Sequence, residues 1–113
     1  MSINPKRLLF ICSRNQLRSP TAETLLSAIE GVEAASAGTN NDAEMPVSGD
    51  LITWADVIYV MERRHHKKVT QKFGPLLKDK PVRVLGIADN YTYMEPALVE
   101  LIKRKFPEFF SHN

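Results

Sequence analysis

The chain has 113 residues, 43% of them apolar and 25% charged, which is the composition of one small folded domain spanning 1–113 rather than of a disordered chain. Its single cysteine excludes an internal disulfide, no Cys/His spacing fits a structural zinc site, and no apolar run approaches the roughly 18 residues of a membrane span. Fifteen Lys and Arg against thirteen Asp and Glu leave a net charge of +2, too mild a balance to imply a nucleic acid partner.

In chain order, the start MSINPKR carries no apolar core of a signal peptide, and with a free thiol it leads us to expect a reducing, cytoplasmic setting. Residues 7–12 (RLLFIC) are a short apolar run that predicts a buried strand. Ser19-Pro20-Thr21-Ala22-Glu23 opens a helix, with Pro20 as the first helical residue and an acidic first turn. Leu25, Leu26 and Ile29 supply its inward face and Gly31 ends it. Residues 33–37 (EAASA) predict a second strand, 38–42 a loop and 47–54 a short helix. Residues 56–61 (DVIYVM), rich in β-branched and aromatic side chains, predict a third strand, and 62–73 a polar helix closed by Gly74-Pro75. A fourth strand is expected at 81–87 (PVRVLGI), a loop at 88–95 and a last helix at 96–106, stopped before Pro107. Strands alternating with helices predict an open α/β sheet, mostly parallel, with its ligand site outside the carboxyl ends of the strands. Two basic runs, RRHHKK at 63–68 and KRK at 103–105, read as solvated helix faces, with attraction of an anionic partner or substrate as the other reading.

The cysteine stands at the end of the first strand. Cys12 is followed by Ser13, Arg14, Asn15, Gln16 and Leu17, then by Arg18 and Ser19, where the helix starts. With seven Arg and seven Ser in the chain, chance places both at these offsets from a given cysteine with a probability of roughly 0.004. A loop curling into a helix N-terminus turns backbone N–H groups inward and makes an anion nest, which favours a nucleophilic thiolate at Cys12. Arg18 has the planar fork that takes two phosphoryl oxygens at once. Ser19 is placed to hydrogen-bond the sulfur as it leaves, and Asn15 tolerates the left-handed backbone that such a loop needs. The bland reading of Cys12 alone is a small buried hydrophobe.

These residues resemble the signature of the low-molecular-weight protein tyrosine phosphatases, Cys-x5-Arg-Ser/Thr with Asn in the fourth place. Cys12, Asn15, Arg18, Ser19, Pro20 and Ala22-Glu23 match it, and Ser36-Ala37-Gly38-Thr39 and ADVIYVM at 55–61 extend the likeness. The resemblance implies a three-layer α/β fold with a four-stranded parallel sheet, order 2-1-3-4, and helices on both faces. It implies hydrolysis of a phosphomonoester through a phosphocysteine, with Cys12 and Arg18 catalytic and Ser13, Arg14, Asn15, Gln16, Leu17, Arg18 and Ser19 holding the phosphate. No metal or cofactor is called for.

A leaving oxygen needs a proton. Strand polarity sets aside Asp56 and Asp79, which precede strands; Asp50 lies in or near the short helix. Asp42, Asp89 and Glu62 follow strands, Glu62 also reading as a first-turn acid of its helix. The family carries its acid in an Asp-Pro-Tyr loop near the C-terminus, and Asp89-Asn90-Tyr91 occupies that place, so the resemblance selects Asp89. Tyr91 and Tyr93 have two readings, as an aromatic wall for the substrate ring or as packing residues.

The chain departs from the family where Leu17 replaces a second cysteine, Arg14 replaces a glycine and the segment between Thr39 and Val47 is short. Arg14 adds charge that favours an acidic substrate. The expected partner is a phosphorylated protein or a small aryl phosphate. An arsenate reductase shares the loop but passes oxidation through further cysteines, so it would need an external thiol. A phosphate- or phosphoprotein-binding module without turnover needs only the nest and Arg18. A transport phosphocarrier does not need the Arg18-Ser19 pair. Nucleic acid binding through the basic helix lacks an accompanying aromatic pattern. Trp54 and the FPEFF tail at 106–110 offer apolar contact area, either to a second copy or to the sheet.

Overall fold

Strand β1 (Lys6–Cys12) has Leu8, Leu9, Phe10 and Ile11 wholly inaccessible to solvent. An unbroken apolar run of this kind belongs to a strand covered on both faces, where successive side chains point to opposite layers. Leu8, Phe10 and Cys12 enter one core, and Leu9 and Ile11 the other. The computed structural model describes residues 6–110. The reading of the extreme N-terminus as free of a signal core falls mostly outside them.

After β1 come α1 (Arg18–Ser27), β2 (Val32–Gly38), α2 (Gly49–Trp54), β3 (Val57–Val60), α3 (Arg63–Phe73), a single 3₁₀ turn (Gly74–Leu77), β4 (Val82–Val84), α4 (Pro96–Lys105) and α5 (Pro107–Phe110). The sheet is parallel throughout, in the order β2-β1-β3-β4, as the resemblance implied. On one face Phe10, Tyr59 and Met61 pack with Ala22 and Leu26 of α1 and Leu98 and Ile102 of α4. Phe106 closes that layer edge-on to Phe10 and Tyr59, with ring centroids 5.9 and 4.9 Å away. On the other face Leu9, Ile11 and Ile58 meet Ile52 of α2 and Val69 of α3. Among the described residues no helix is long and apolar enough to cross a membrane.

Boundaries differ from the sequence expectation where local chemistry intervenes. The fourth strand is three residues long, not seven, because Gly86 takes φ 72° and bends the chain. Leu85 and Ile87 nevertheless keep backbone bonds to Val60 and Met61 and remain buried. Helix α1 begins at Arg18, so Pro20 is its third residue and its first turn holds no acid; Glu23 instead accepts a hydrogen bond from Ser36 Oγ. Helix α2 starts two residues late because Ser48 caps it, accepting from Leu51 N–H at 3.2 Å. The FPEFF tail folds as α5 and lays Phe109 and Phe110 against the core beside Phe106.

Candidate functional site

In a doubly wound sheet the ligand crevice opens where crossovers leave for opposite faces. Here that point is the end of β1, flanked by β2 and β3. Residues 13–17 leave β1 there and run directly into α1.

The loop is shaped from outside. The carbonyls of Cys12, Ser13 and Arg14 accept hydrogen bonds from the N–H groups of Thr39, Asn40 and Glu44, at 2.9, 2.9 and 3.1 Å. A planar trans peptide carries its N–H opposite its carbonyl. Pulling three consecutive carbonyls outward therefore turns the N–H groups of Ser13, Arg14 and Asn15 inward. Among the described residues no protein acceptor meets the N–H groups of 13–17. Asn15 completes the curl with φ 59°. Leu17, the N-cap of α1, gives no side-chain cap, so the open helix end joins the same concavity. Gly38 is required for this arrangement: a Cβ there would lie 2.5 Å from the Ser13 carbonyl oxygen and 2.6 Å from Ala43 Cβ.

At the floor, Cys12 Sγ lies 2.9 Å from Ser19 Oγ, which in turn reaches Asn15 Oδ1 at 3.1 Å. Ser19 has one proton to give. With a thiol at Cys12, the S–H donates to Ser19, whose proton goes to Asn15. With a thiolate, the Ser19 proton turns to sulfur.

Arg18 is 1% exposed, and its Nη1 donates to Glu62 Oε1 at 2.6 Å and to the Ile87 carbonyl at 2.8 Å. One end of the guanidinium is thus tied down, and its Nε stands 3.7 Å from Asp89 Oδ1. Glu62 Oε1 also accepts from Arg64 Nη2 at 2.8 Å. Burial pushes the Glu62 carboxyl up, but the Arg18 and Arg64 guanidiniums outweigh it and hold it below the usual carboxylate range.

The sequence-selected residues separate into those that share a cavity and those that do not. Cys12, Ser13, Arg14, Gln16, Leu17, Arg18 and Asp89 line one cavity of about 50 Å³. Asn15 and Ser19 are buried behind it. Tyr91 is absent from this lining and packs half-buried against the core of β1 and α4. Tyr93 is exposed, its hydroxyl 2.8 Å from Thr24 Oγ1. Asp56 lies at the far edge, accepting from Arg7 N–H at 2.8 Å; this bond leads the causes that lower its carboxyl. Asp42 lines a separate groove. Among the described residues no cluster of three His, Cys, Asp or Glu is arranged to hold a metal ion.

Two supports were not read from the sequence as such. Glu62, expected as a first-turn acid, is the N-cap of α3 and the partner of Arg18. His65, expected on a solvated face, is fully buried. Its Nδ1 accepts from the Glu62 N–H at 3.1 Å, so the neutral ring carries its proton on Nε2, which donates to Ser13 Oγ at 2.9 Å. Burial, then the charges of Arg18 and Arg64, lower its pKa to about 4. The sequence signal for both is Glu-x-x-His at the start of a helix, a capping box with the imidazole in the returning role.

No protein-family model and no curated protein matches the chain. Solved structures do. The tyrosine phosphatase Wzb from Escherichia coli K30, in complex with phosphate, superposes with a TM-score of 0.75 at 19% identity, over 93% of this chain and 96% of that one. Vibrio vulnificus Wzb in complex with benzylphosphonate gives 0.74 at 21% identity, over 93% and 97%. The YwlE arginine phosphatase from Geobacillus stearothermophilus gives 0.66 at 24% identity, over 95% and 87%. The fold of this chain is the fold of these proteins.

Proposed function

We propose that the chain is a cysteine-dependent phosphomonoester hydrolase of the low-molecular-weight protein tyrosine phosphatase kind, acting on phosphotyrosine in proteins or on small aryl phosphates. The observation that carries this reading is the outward pull on the carbonyls of Cys12, Ser13 and Arg14, which surrounds one thiol with inward N–H donors in a cavity shared with Arg18 and Asp89.

The proposed reaction has two displacements. The phosphoryl group sits in the nest, two of its oxygens on the Nε–Nη2 edge of Arg18, whose Nη1 is held by Glu62 and Ile87. Cys12 sulfur attacks phosphorus in line. The S–P bond forms, the P–O bond to the leaving group breaks, and Asp89 gives that oxygen its proton. Water then attacks the phosphocysteine, Asp89 takes the water's proton, and the S–P bond breaks. The sulfur leaves as thiolate, toward the Ser19 hydroxyl 2.9 Å away. Phosphate, with its charge spread over equatorial oxygens, is stabilised by fixed donors in both steps.

Cys12 is the chain's only cysteine, so an arsenate reductase reading has no internal thiol to complete it. A binding module without turnover shares the nest but predicts no chemistry. The deciding experiment is hydrolysis of p-nitrophenyl phosphate in the presence of EDTA. Vanadate-sensitive turnover is expected, absent in Cys12→Ser and slowed about 10²–10⁴-fold in Asp89→Asn. Phosphate binding without turnover by the parent protein would refute the reading.

A further inference from the structure

A second concavity lies beside the anion loop and is much larger, about 580 Å³. One wall is the segment from Gly38 to Asp42, continued by Pro46 and Val47; the other is the C-terminal half of α3. Neither wall is incidental to the Cys12 site. Thr39 and Asn40 of the first wall hold the carbonyls of Cys12 and Ser13. Helix α3, which forms the second, begins with Glu62 and His65, which hold Arg18 and Ser13. An occupant of the groove therefore touches Thr39 and Asn40 directly, and the far half of the helix whose start carries Glu62 and His65.

The lining is chemically divided. Val47 and Val69 are buried at its base, with Phe73 beside them. Lys68 and Lys72, exposed and four residues apart, stand on one face of the helix. Lys72 Nζ sits over the Phe73 ring, 5.6 Å from its centroid, so the cation and the aromatic surface of the groove adjoin. Asp42 faces them from the loop, so the charged lining is two cations against one anion. The one buried side-chain oxygen or nitrogen left without a partner among the described residues, Thr39 Oγ1, belongs to this wall. The volume lies within the range of roughly 300–1,000 Å³ common to small-molecule pockets.

We propose that this groove is a second ligand site, for a small molecule with a flat apolar body and one anionic group. The body lies on Val47, Val69 and Phe73, and the anion meets Lys68 and Lys72. Asp42 opposes a second negative charge, so a doubly charged phosphate alone is a poor fit and the Cys12 nest keeps that ligand.

The probe is 8-anilinonaphthalene-1-sulfonate, which has this chemistry and no phosphoryl group. Its fluorescence is titrated against the full chain in the absence and in the presence of saturating inorganic phosphate. One equivalent is expected to bind, and the Lys68→Ala/Lys72→Ala double variant to bind at least tenfold more weakly. Both lysines are exposed, so the variant is expected to keep the parent's urea midpoint, which verifies its fold. Displacement of the probe by phosphate would place it in the Cys12 nest and overturn the proposal. Undiminished binding by the double variant would do so equally, because the site would then be apolar surface without an anion subsite.

Discussion

His65 makes the fold sensitive to acid in a way that can be worked out in advance. In the folded chain its ring is inaccessible, accepts at Nδ1 and donates at Nε2, and titrates at about 4. In the unfolded chain it titrates near its ordinary value of about 6.5. The charges facing it are Arg18 of α1 and Arg64 and Lys68 of its own helix, all opposing a proton, with Glu62 alone favouring one. The folded value is the lower of the two, so the stabilisation is present above about 6.5. It is lost as pH falls toward 4, because the unfolded chain binds a proton that the native state refuses. Between pH 7 and pH 5 this single group accounts for about 2 kcal/mol, or roughly 1 M in urea midpoint. The assay is urea unfolding of the parent and His65→Gln at both pH values. Glutamine can still donate toward Ser13 but does not titrate, and it leaves the Glu62 N–H unpaired, at a cost of about 1–3 kcal/mol at pH 7. Carboxylates titrate alike in both proteins, so the difference of differences isolates the imidazole. Parallel loss of stability in the two proteins would refute the reasoning.

Two further outcomes follow from the supports of the anion loop. Glu62→Gln removes the charge that fixes Arg18 Nη1, and kcat/KM for an aryl phosphate is expected to fall roughly tenfold or more, the worth of one charge-assisted hydrogen bond; unchanged kinetics would show that the Ile87 carbonyl alone orients the guanidinium. Gly38→Ala drives a methyl group into the Ser13 carbonyl and Ala43, so a loss of about 1–3 kcal/mol in urea stability is expected together with weaker phosphate binding; a variant with full phosphate affinity would contradict the outside-in shaping of the loop.

The sheet was legible because β1 and β3 are apolar enough to be buried on both faces, and a run like RLLFIC has few other fates. The thiol and the arginine that line one cavity were legible because a local spacing carries them: Cys12, Arg18 and Ser19 lie within eight residues. What escaped was non-local. The donors that open the nest come from Thr39, Asn40 and Glu44, whose backbone N–H groups leave no mark on side-chain identity. His65 sits in the run RRHHKK, and only the helix phase separates it, facing inward at 0% exposure, from the exposed Arg64 and Lys67 beside it. Sequence alone leaves Tyr91 between a substrate wall and a packing residue, because only the fold shows that it is half-buried against the core while Asp89, two residues away, lines the cavity.

The three bonds that turn the loop carbonyls outward join residues nearly thirty positions apart in the chain. Contacts of that separation close late in folding, after the local turns of α1 have had ample time to form. A chain with α1 wound but β2 not yet paired to β1 has the helix end without the inward donors. On the proposed function, phosphate or vanadate is expected to bind the completed fold alone and to stabilise it by mass action, so that a rise in thermal midpoint with either anion would measure assembly of the whole sheet rather than of the segment that carries the cysteine.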